Sequence, residues 1–436
     1  MKINAIIAEY NPLHKGHEYL INKGKEITGA DYTIVVMSGN YVQRGEPAVM
    51  DKSIRTEAAL LSGADLVIEL PLYYSIASAE NFAKGAVALI DKLGCVDNLV
   101  FGSETDNIEL LYDIASLSLD YEMDLYELIS KYMAEGNSYP KAQGLAITDI
   151  ITKLENDGKE KYPMLSVYDK NDIAEILSAP NSTLAVCYIK SIISLGSDLN
   201  PVAVARITSD HNDLSLGALS SSAVRKEFSE KNYEPLKDQL SQDVYELYAE
   251  NVEKNYPIRV DDYSDILLYK LRSLVYGNGA RLKAQGVLAL TEYLDVSEEL
   301  AGRIINCLPE YRNFTQFVAI LKTKSITYSH ISRALMHIIL DIKKSNAQKY
   351  IANDFSLYAR ILGFFKESSE ILSIVDQNSE IPIVSKLADA EDYIEDPLVL
   401  KLLFETINAS ELYTGIAASR FGCEFVSELS QRIVII

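Results

Sequence analysis

The first hundred residues alternate short apolar runs with amphipathic stretches, and that alternation leaves few folds open. Ile3–Ala8, Tyr32–Met37, Leu66–Leu70 and Leu99–Phe101 are continuous, apolar and strand-sized. Between them lie His17–Lys25, Lys52–Leu61 and Phe82–Leu93, whose apolar residues recur at helical spacing. A strand apolar on both sides must be covered on both sides, so the pattern predicts a parallel sheet with helices above and below. Right-handed crossovers make this a doubly wound α/β domain, with ligands expected beyond the carboxyl ends of its strands.

Further along, about 107 to 180 reads as a helical insertion. Ser182–Leu195 is a helix, Val202–Arg206 a returning strand, and Ser220 caps a helix running through Val224 and Phe228. Beyond Tyr256 the pattern is mostly helical, with Ile381–Val384 and Ile433–Ile436 the remaining strand candidates. A chain of 436 residues fits two or three domains. The sequence predicts a sheet domain over 1–240 and a mostly α-helical one over 241–436.

Composition narrows the class. The longest apolar runs, such as Leu66–Leu72, fall well short of the roughly 20 residues of a spanning helix, so no membrane association is expected. Cys95, Cys187, Cys307 and Cys423 are far apart and form no CxxC pair, which argues against zinc or a disulfide framework and for a cytoplasmic chain. The net charge of −21 argues against a large nucleic-acid-coating surface. It is uneven, however. Residues 321–366 carry eight Lys/Arg against two Asp/Glu, and 367–412 carry eleven acidic against two basic residues. On charge alone the basic island fits a solvated helical face as well as a polyanion site.

The strongest local signal is Ala8-Glu9-Tyr10-Asn11-Pro12-Leu13-His14-Lys15-Gly16-His17, between the first strand and the first helix. A helix N-terminus offers free N–H groups to phosphate. Gly16 lets a nucleotide approach the backbone. His14 and His17, at i and i+3, share one face of the first turn and can donate to oxygens at the α-phosphorus. A second cluster, Leu219-Ser220-Ser221-Ser222-Ala223-Val224-Arg225, puts hydroxyls and a cation at a helix start, which suits the β- and γ-phosphates.

The two clusters resemble the HxGH and Ile-Ser-Ser-Thr-x-Ile-Arg signatures of the nucleotidyltransferase superfamily, which implies a Rossmann-like fold. Further segments narrow the resemblance. They are Met37-Ser38-Gly39-Asn40-Tyr41-Val42-Gln43-Arg44-Gly45-Glu46-Pro47-Ala48, Gly63–Pro71 and Phe101-Gly102-Ser103-Glu104, then Leu321–Tyr328 with Ile331-Ser332-Arg333, and Ala359–Phe364. Together they resemble the bacterial tRNA(Met) cytidine acetate ligase family across most of the chain. The resemblance implies an enzyme that spends ATP to make acetyl-adenylate and transfers the acetyl group to N4 of the wobble cytidine of elongator tRNA(Met).

It also implies roles. His14, His17 and Arg44 are the catalytic candidates, with Arg44 facing the acetate carboxylate or the leaving pyrophosphate. Ile7, Ala8, Glu9, Tyr10, Asn11, Pro12, Lys15, Gly16, Leu20, Gly102, Asn181, Arg206, Ile207, Ser221, Ser222 and Arg225 are expected around ATP. Mg²⁺ is expected to escort ATP on its phosphates and water, with no protein metal cage. Lys322, Lys324, Arg333, Lys343 and Lys344 are the candidates for tRNA phosphates. The chain departs from the family pattern at Ser182-Thr183-Leu184-Ala185 and at His211-Asn212-Asp213. Oligomeric state is not legible. Two other readings share the phosphate signals: a small-molecule adenylyltransferase, and a nucleotide-sensing RNA-binding protein without catalysis. The basic helical half counts against the first, and intact His14 and His17 against the second.

Overall fold

The structure is a computed structural model and describes all residues except 138, 157–160, 169, 206–223, 226, 228–233, 278–282 and 324–325. Five parallel strands form the centre: β1 (Ile3–Ala8), β2 (Tyr32–Ser38), β5 (Leu66–Leu70), β6 (Asn98–Ser103) and β7 (Asn200–Ala205). They lie in the order β5-β2-β1-β6-β7, all neighbours parallel. The order reverses at β1, which pairs β2 on one side and β6 on the other. The chain leaving β1 therefore enters the crevice where such sheets bind ligands.

Both faces of the central strands are buried. Ile34 and Val36 point into one apolar layer, and Val35 and Met37 into the other, each with no exposure. This is why the strands read as continuous apolar runs rather than alternating ones. Helices α1 (Lys15–Thr28) and α2 (Lys52–Leu61) cover one face. Helices α3 (Ala79–Lys92) and α4 (Pro180–Leu195) cover the other. Each fully buried aliphatic side chain in these layers contributes about 1.5–3 kcal/mol of transfer free energy. The described residues between 107 and 180 are mostly helical, and they pack mainly through Ile108–Asp120 against α4.

The sheet does not end at residue 240. Strand β8 (Ala359–Phe364) lies antiparallel to β5, and β9 (Ile383–Val384) and β10 (Val434–Ile435) add parallel to β8. Ile381–Val384 and Ile433–Ile436 are therefore strand regions, but Ala359–Phe364, within a stretch read as helical, is an inserted antiparallel strand. The remainder beyond 241 is mostly helical, and the apolar layer under β5 runs without a break into it, through Leu271, Leu335 and Leu402. A small hairpin of β3 (Tyr41–Val42) and β4 (Glu46–Pro47) stands beyond β2. Helices α5 (Tyr328–Ile339) and α6 (Pro397–Phe421) pack around it.

Candidate active site

The turn after β1 is held from several directions. Tyr10 has φ +45, a left-handed conformation costing roughly 1–3 kcal/mol in a non-glycine residue. Its ring is buried, and neighbouring groups fix the chain around it. Arg55 on α2, fully buried, donates to the carbonyls of Glu9 at 2.7 Å, Ser38 at 3.1 Å and Met50 at 3.0 Å, and also to that of Gly39. One guanidinium thus ties the turn after β1 to the turn after β2. Asn11 accepts from the Val49 N–H at 2.8 Å through Oδ1 and from Arg225 at 2.8 Å through its carbonyl. The Leu13 N–H donates to the Tyr248 hydroxyl at 3.1 Å.

The two histidines then form the helix cap. His14 is the N-cap of α1, and its Nδ1 accepts from the Gly16 N–H at 3.1 Å. The His17 Nδ1 accepts in return from the His14 N–H at 3.2 Å. The rings stack with centroids 3.9 Å apart, and Tyr10 meets His17 edge-on. A nitrogen that accepts carries no proton, so each neutral imidazole holds its hydrogen on Nε2. The capping geometry therefore fixes two Nε2–H donors side by side at a helix N-terminus. That arrangement suits developing negative charge on a phosphoryl group.

Charge converges on the same edge. Arg44, exposed, lies at the tip of the β3–β4 hairpin. Burial pushes the Glu9 carboxyl up, against the pull of the Gln43 N–H at 2.7 Å and of Arg225, Arg44 and Arg55. Burial also raises Glu46, against Arg225 and Arg44. The Arg225 guanidinium is pushed down by burial and then by the neighbouring Arg44, with Glu46 and Glu9 opposing. Two guanidiniums near each other, with carboxylates that titrate reluctantly, make a locus suited to an anion.

The other expected residues are distributed as follows. Ile7 and Ala8 sit half-buried at the end of β1, and Lys15, Gly16 and Leu20 half-buried on the first turns of α1, while Pro12 is buried in the turn. Gly102 pairs with Val204 near the end of β6. Asn181, in the first turn of α4, donates to Glu104 at 2.7 Å. Glu104 also takes the Ser182 N–H and hydroxyl at 2.8 Å; burial alone would raise its carboxyl, but these bonds hold it below the usual range. Arg206, Ile207, Ser221 and Ser222 lie outside the described residues, as do His211, Asn212 and Asp213. Among the described residues no group of three or more His, Cys, Asp or Glu is arranged to hold a metal ion. None of the helices among them is by itself long and apolar enough to cross a membrane.

The basic island is less uniform than its charge suggests. Lys322 is exposed, and Lys324 lies outside the described residues. Lys343 pairs with Glu292 at 3.2 Å and sits 3.5 Å above the Tyr293 ring. Lys344 donates to the Val296 carbonyl at 2.9 Å. Arg333 turns inward. Its side chain is 13% exposed, its Nε meets Asp295 at 3.1 Å, and Nη1 points at the Gln43 carbonyl at 3.5 Å. Sequence reasoning gave no role to Arg55, Asp295 or Glu104, the last of which it met only as part of the Phe101–Glu104 segment. Arg55 left one trace, a cation on the same helix face as Ala58 and Ala59.

A doubly wound sheet with a histidine-capped helix at its switch point defines a nucleotidyltransferase of the HxGH type. A family model described as HIGH Nucleotidyl Transferase accordingly matches residues 1–422. The tRNA(Met) cytidine acetate ligase of a Thermoanaerobacter species is 34% identical over 417 residues, covering 95% of each chain. That of Clostridium acetobutylicum is 36% identical over 421 residues, covering 96% of each. The crystal structure of Thermotoga maritima TmcAL bound with alpha-thio ATP superposes over the whole of both chains with a TM-score of 0.84 at 27% identity. The apo form gives 0.85 at 28%. The chain belongs to the tRNA(Met) cytidine acetate ligase family.

Proposed function

We propose that this protein is an ATP-dependent ligase that makes N4-acetylcytidine at the wobble position of elongator tRNA(Met) from acetate. The observation that carries the proposal is the stacked, helix-capping pair of His14 and His17 at the switch point, in a chain related end to end to ligases of that name. In the first step an acetate oxygen attacks the α-phosphorus, the bond to the β-phosphate oxygen breaks, and pyrophosphate leaves. His14 and His17 donate to the α-phosphoryl oxygens as charge builds there. Arg44 and Arg225 supply positive charge for the acetate carboxylate and the departing pyrophosphate. In the second step the cytidine N4 attacks the acyl carbon, the acyl–oxygen bond breaks, AMP leaves, and N4 gives up a proton.

The remaining assignments follow the same reading. Ile7, Ala8, Glu9, Tyr10, Asn11, Pro12, Lys15, Gly16, Leu20, Gly102, Asn181, Arg206 and Ile207 surround ATP, and Ser221 and Ser222 bind its outer phosphates. Mg²⁺ would be held by those phosphates and water, with no protein cage, and would offset part of their charge. Residues 1–240 carry the nucleotide chemistry, and 241–436 carry most of the tRNA contacts, through Lys322, Lys324, Lys343 and Lys344. Arg333, paired with Asp295, acts nearer the site than the phosphate backbone. The protein works in the cytoplasm, where its tRNA is.

The test is to incubate the protein with ATP, Mg²⁺, labelled acetate and total bacterial tRNA, then digest the RNA to nucleosides. Labelled N4-acetylcytidine that disappears in His14→Ala supports the proposal. Pyrophosphate release without a labelled nucleoside would favour a small-molecule acceptor. ATP binding with neither product would leave a nucleotide-sensing RNA-binding protein.

A further inference from the structure

The segment that carries Arg44 is built into the C-terminal half. Gln43 and Gly45, on either side of it, are held by different parts of the chain. The Gln43 N–H donates to Glu9 at 2.7 Å, in the turn after β1. The Gly45 carbonyl accepts from the Ser332 hydroxyl at 2.8 Å, and Ser332 is fully buried on α5. Gly45 has φ +78, and a Cβ there would lie 2.3 Å from the Arg333 nitrogen and 2.6 Å from the Ser332 carbonyl carbon. Backbone meets backbone at this point, so only glycine fits. Arg333 adds a longer contact to the Gln43 carbonyl at 3.5 Å. Its guanidinium is oriented by Asp295, whose carboxyl burial would raise but which His337 and Arg333 hold below the usual range. The base of the hairpin is fixed as well. The Tyr41 hydroxyl donates to the Ala409 carbonyl at 3.0 Å, and the Tyr413 hydroxyl to the Ala48 carbonyl at 2.8 Å, with Ala409 and Tyr413 both on α6.

We propose that Ser332 and Arg333 are positioning residues that clamp the Gln43–Gly45 tip and so hold Arg44 beside Glu9 and Arg225, at the turn that leads into the histidine cap. A long cation at the tip of a two-residue-strand hairpin has many positions open to it. Fixing the backbone on both sides removes most of them before substrate arrives. Lys322 and Lys324 precede α5 in the sequence and Lys343 and Lys344 follow it, so the segments expected to meet RNA flank the helix that sets the catalytic arm. As an activity claim this rests on the ligase reading; the state of the hairpin does not.

The test therefore uses two readouts on the full-length protein. The first is limited trypsin digestion, followed by the appearance of the new amino terminus at Gly45, which forms only when the tip can enter the protease. Ser332→Ala removes the hydroxyl, and Arg333→Lys keeps a charge for Asp295 but loses the fork that reaches Gln43. Each is expected to speed cleavage after Arg44 by roughly three- to tenfold, the scale of one lost hydrogen bond. The second readout is acetylation kinetics. The variants are expected to raise the KM for acetate by a similar factor, with the KM for ATP unchanged. That rise is expected to vanish in an Arg44→Ala background, because a clamp has nothing to position there. Unchanged cleavage in both variants overturns the clamp. So does a kinetic loss that persists undiminished without Arg44, since α5 would then act on the RNA itself. A wild-type protein that forms no acetylcytidine sinks the ligase reading instead, and the cleavage rates still decide whether the clamp exists.

Discussion

At the scale of single residues, the site depends on a few side chains that satisfy backbone groups and are oriented by doing so. His14 and His17 spend their Nδ1 atoms on the helix cap, which fixes the Nε2–H of each. In the proposed mechanism each donates to the α-phosphoryl group in the transition state, so replacing either by alanine is expected to lower kcat by about 10²–10³ and kcat/KM with it. Single-turnover measurements of pyrophosphate release check this. A second group is buried nearby, where Lys52 and Arg360 both pair with Glu69 and Glu428, at 2.5 to 2.9 Å. Burial alone would raise the Glu428 carboxyl, but Lys52 and Arg360 outweigh it and hold it low. A depressed carboxylate adds stability above its unfolded pKa, about 4.3, and loses it as pH falls through the folded value. Glu428→Gln is therefore expected to cost about 3–5 kcal/mol at pH 7, and the gap to wild type is expected to narrow below about pH 4. Urea midpoints at both pH values test this, and a gap that does not change with pH would mean the carboxylate is not the charged partner. The histidines were legible because the turn is contiguous in sequence. Arg55 left only its place on the Ala58 and Ala59 face, since its partners are backbone carbonyls that no side-chain pattern marks. The four-charge cluster left nothing local, because Lys52 and Glu69 meet Arg360 and Glu428 from several hundred residues away.

At the scale of elements, the central strands were readable because burial on both faces leaves continuous apolar runs, and their boundaries fall within a residue or two of the expected ones. Strand β8 was not. Arg360 and Gly363 interrupt its apolar pattern, and both are there for tertiary reasons. Arg360 reaches Glu69. Gly363 lies where a Cβ would be 2.6 Å from the Val434 carbonyl oxygen and 2.7 Å from the Thr56 side chain of α2. A strand squeezed between a neighbouring strand and a helix has no room for the β-branched residue that would have announced it. Gly363→Val is expected to push α2 and β10 off β8 and to destabilise the chain by about 1–3 kcal/mol, read as a lowered Tm. An unchanged Tm would mean that β10 moves away at little cost. The hairpin around Arg44 shows the same limit from the other side. Its sequence marked it as functional, but only the packing against α5 shows what holds it.

At the scale of the whole molecule, the division of labour read from sequence has to be reconciled with one sheet. Strands β8, β9 and β10 all come from beyond residue 241, and β5 would be left with an open edge without them. Glu69, fully buried on β5, would lose Arg360, and Lys52 would lose Glu428. An uncompensated buried charge and an unpaired strand edge are each severe faults. A fragment spanning 1–240 is therefore expected to be insoluble or to lack a cooperative transition, although it holds the whole nucleotide turn. The full chain, for the same reason, is expected to unfold in a single step despite its length. It has no Trp but 28 Tyr, so tyrosine absorbance and far-UV circular dichroism can be followed together in urea. Coincident curves support one cooperative unit. Two separated transitions, or a fragment that folds and binds ATP, would show that the N-terminal half stands alone. The helices beyond 241 would then be a removable RNA-binding attachment rather than the second half of the active-site scaffold.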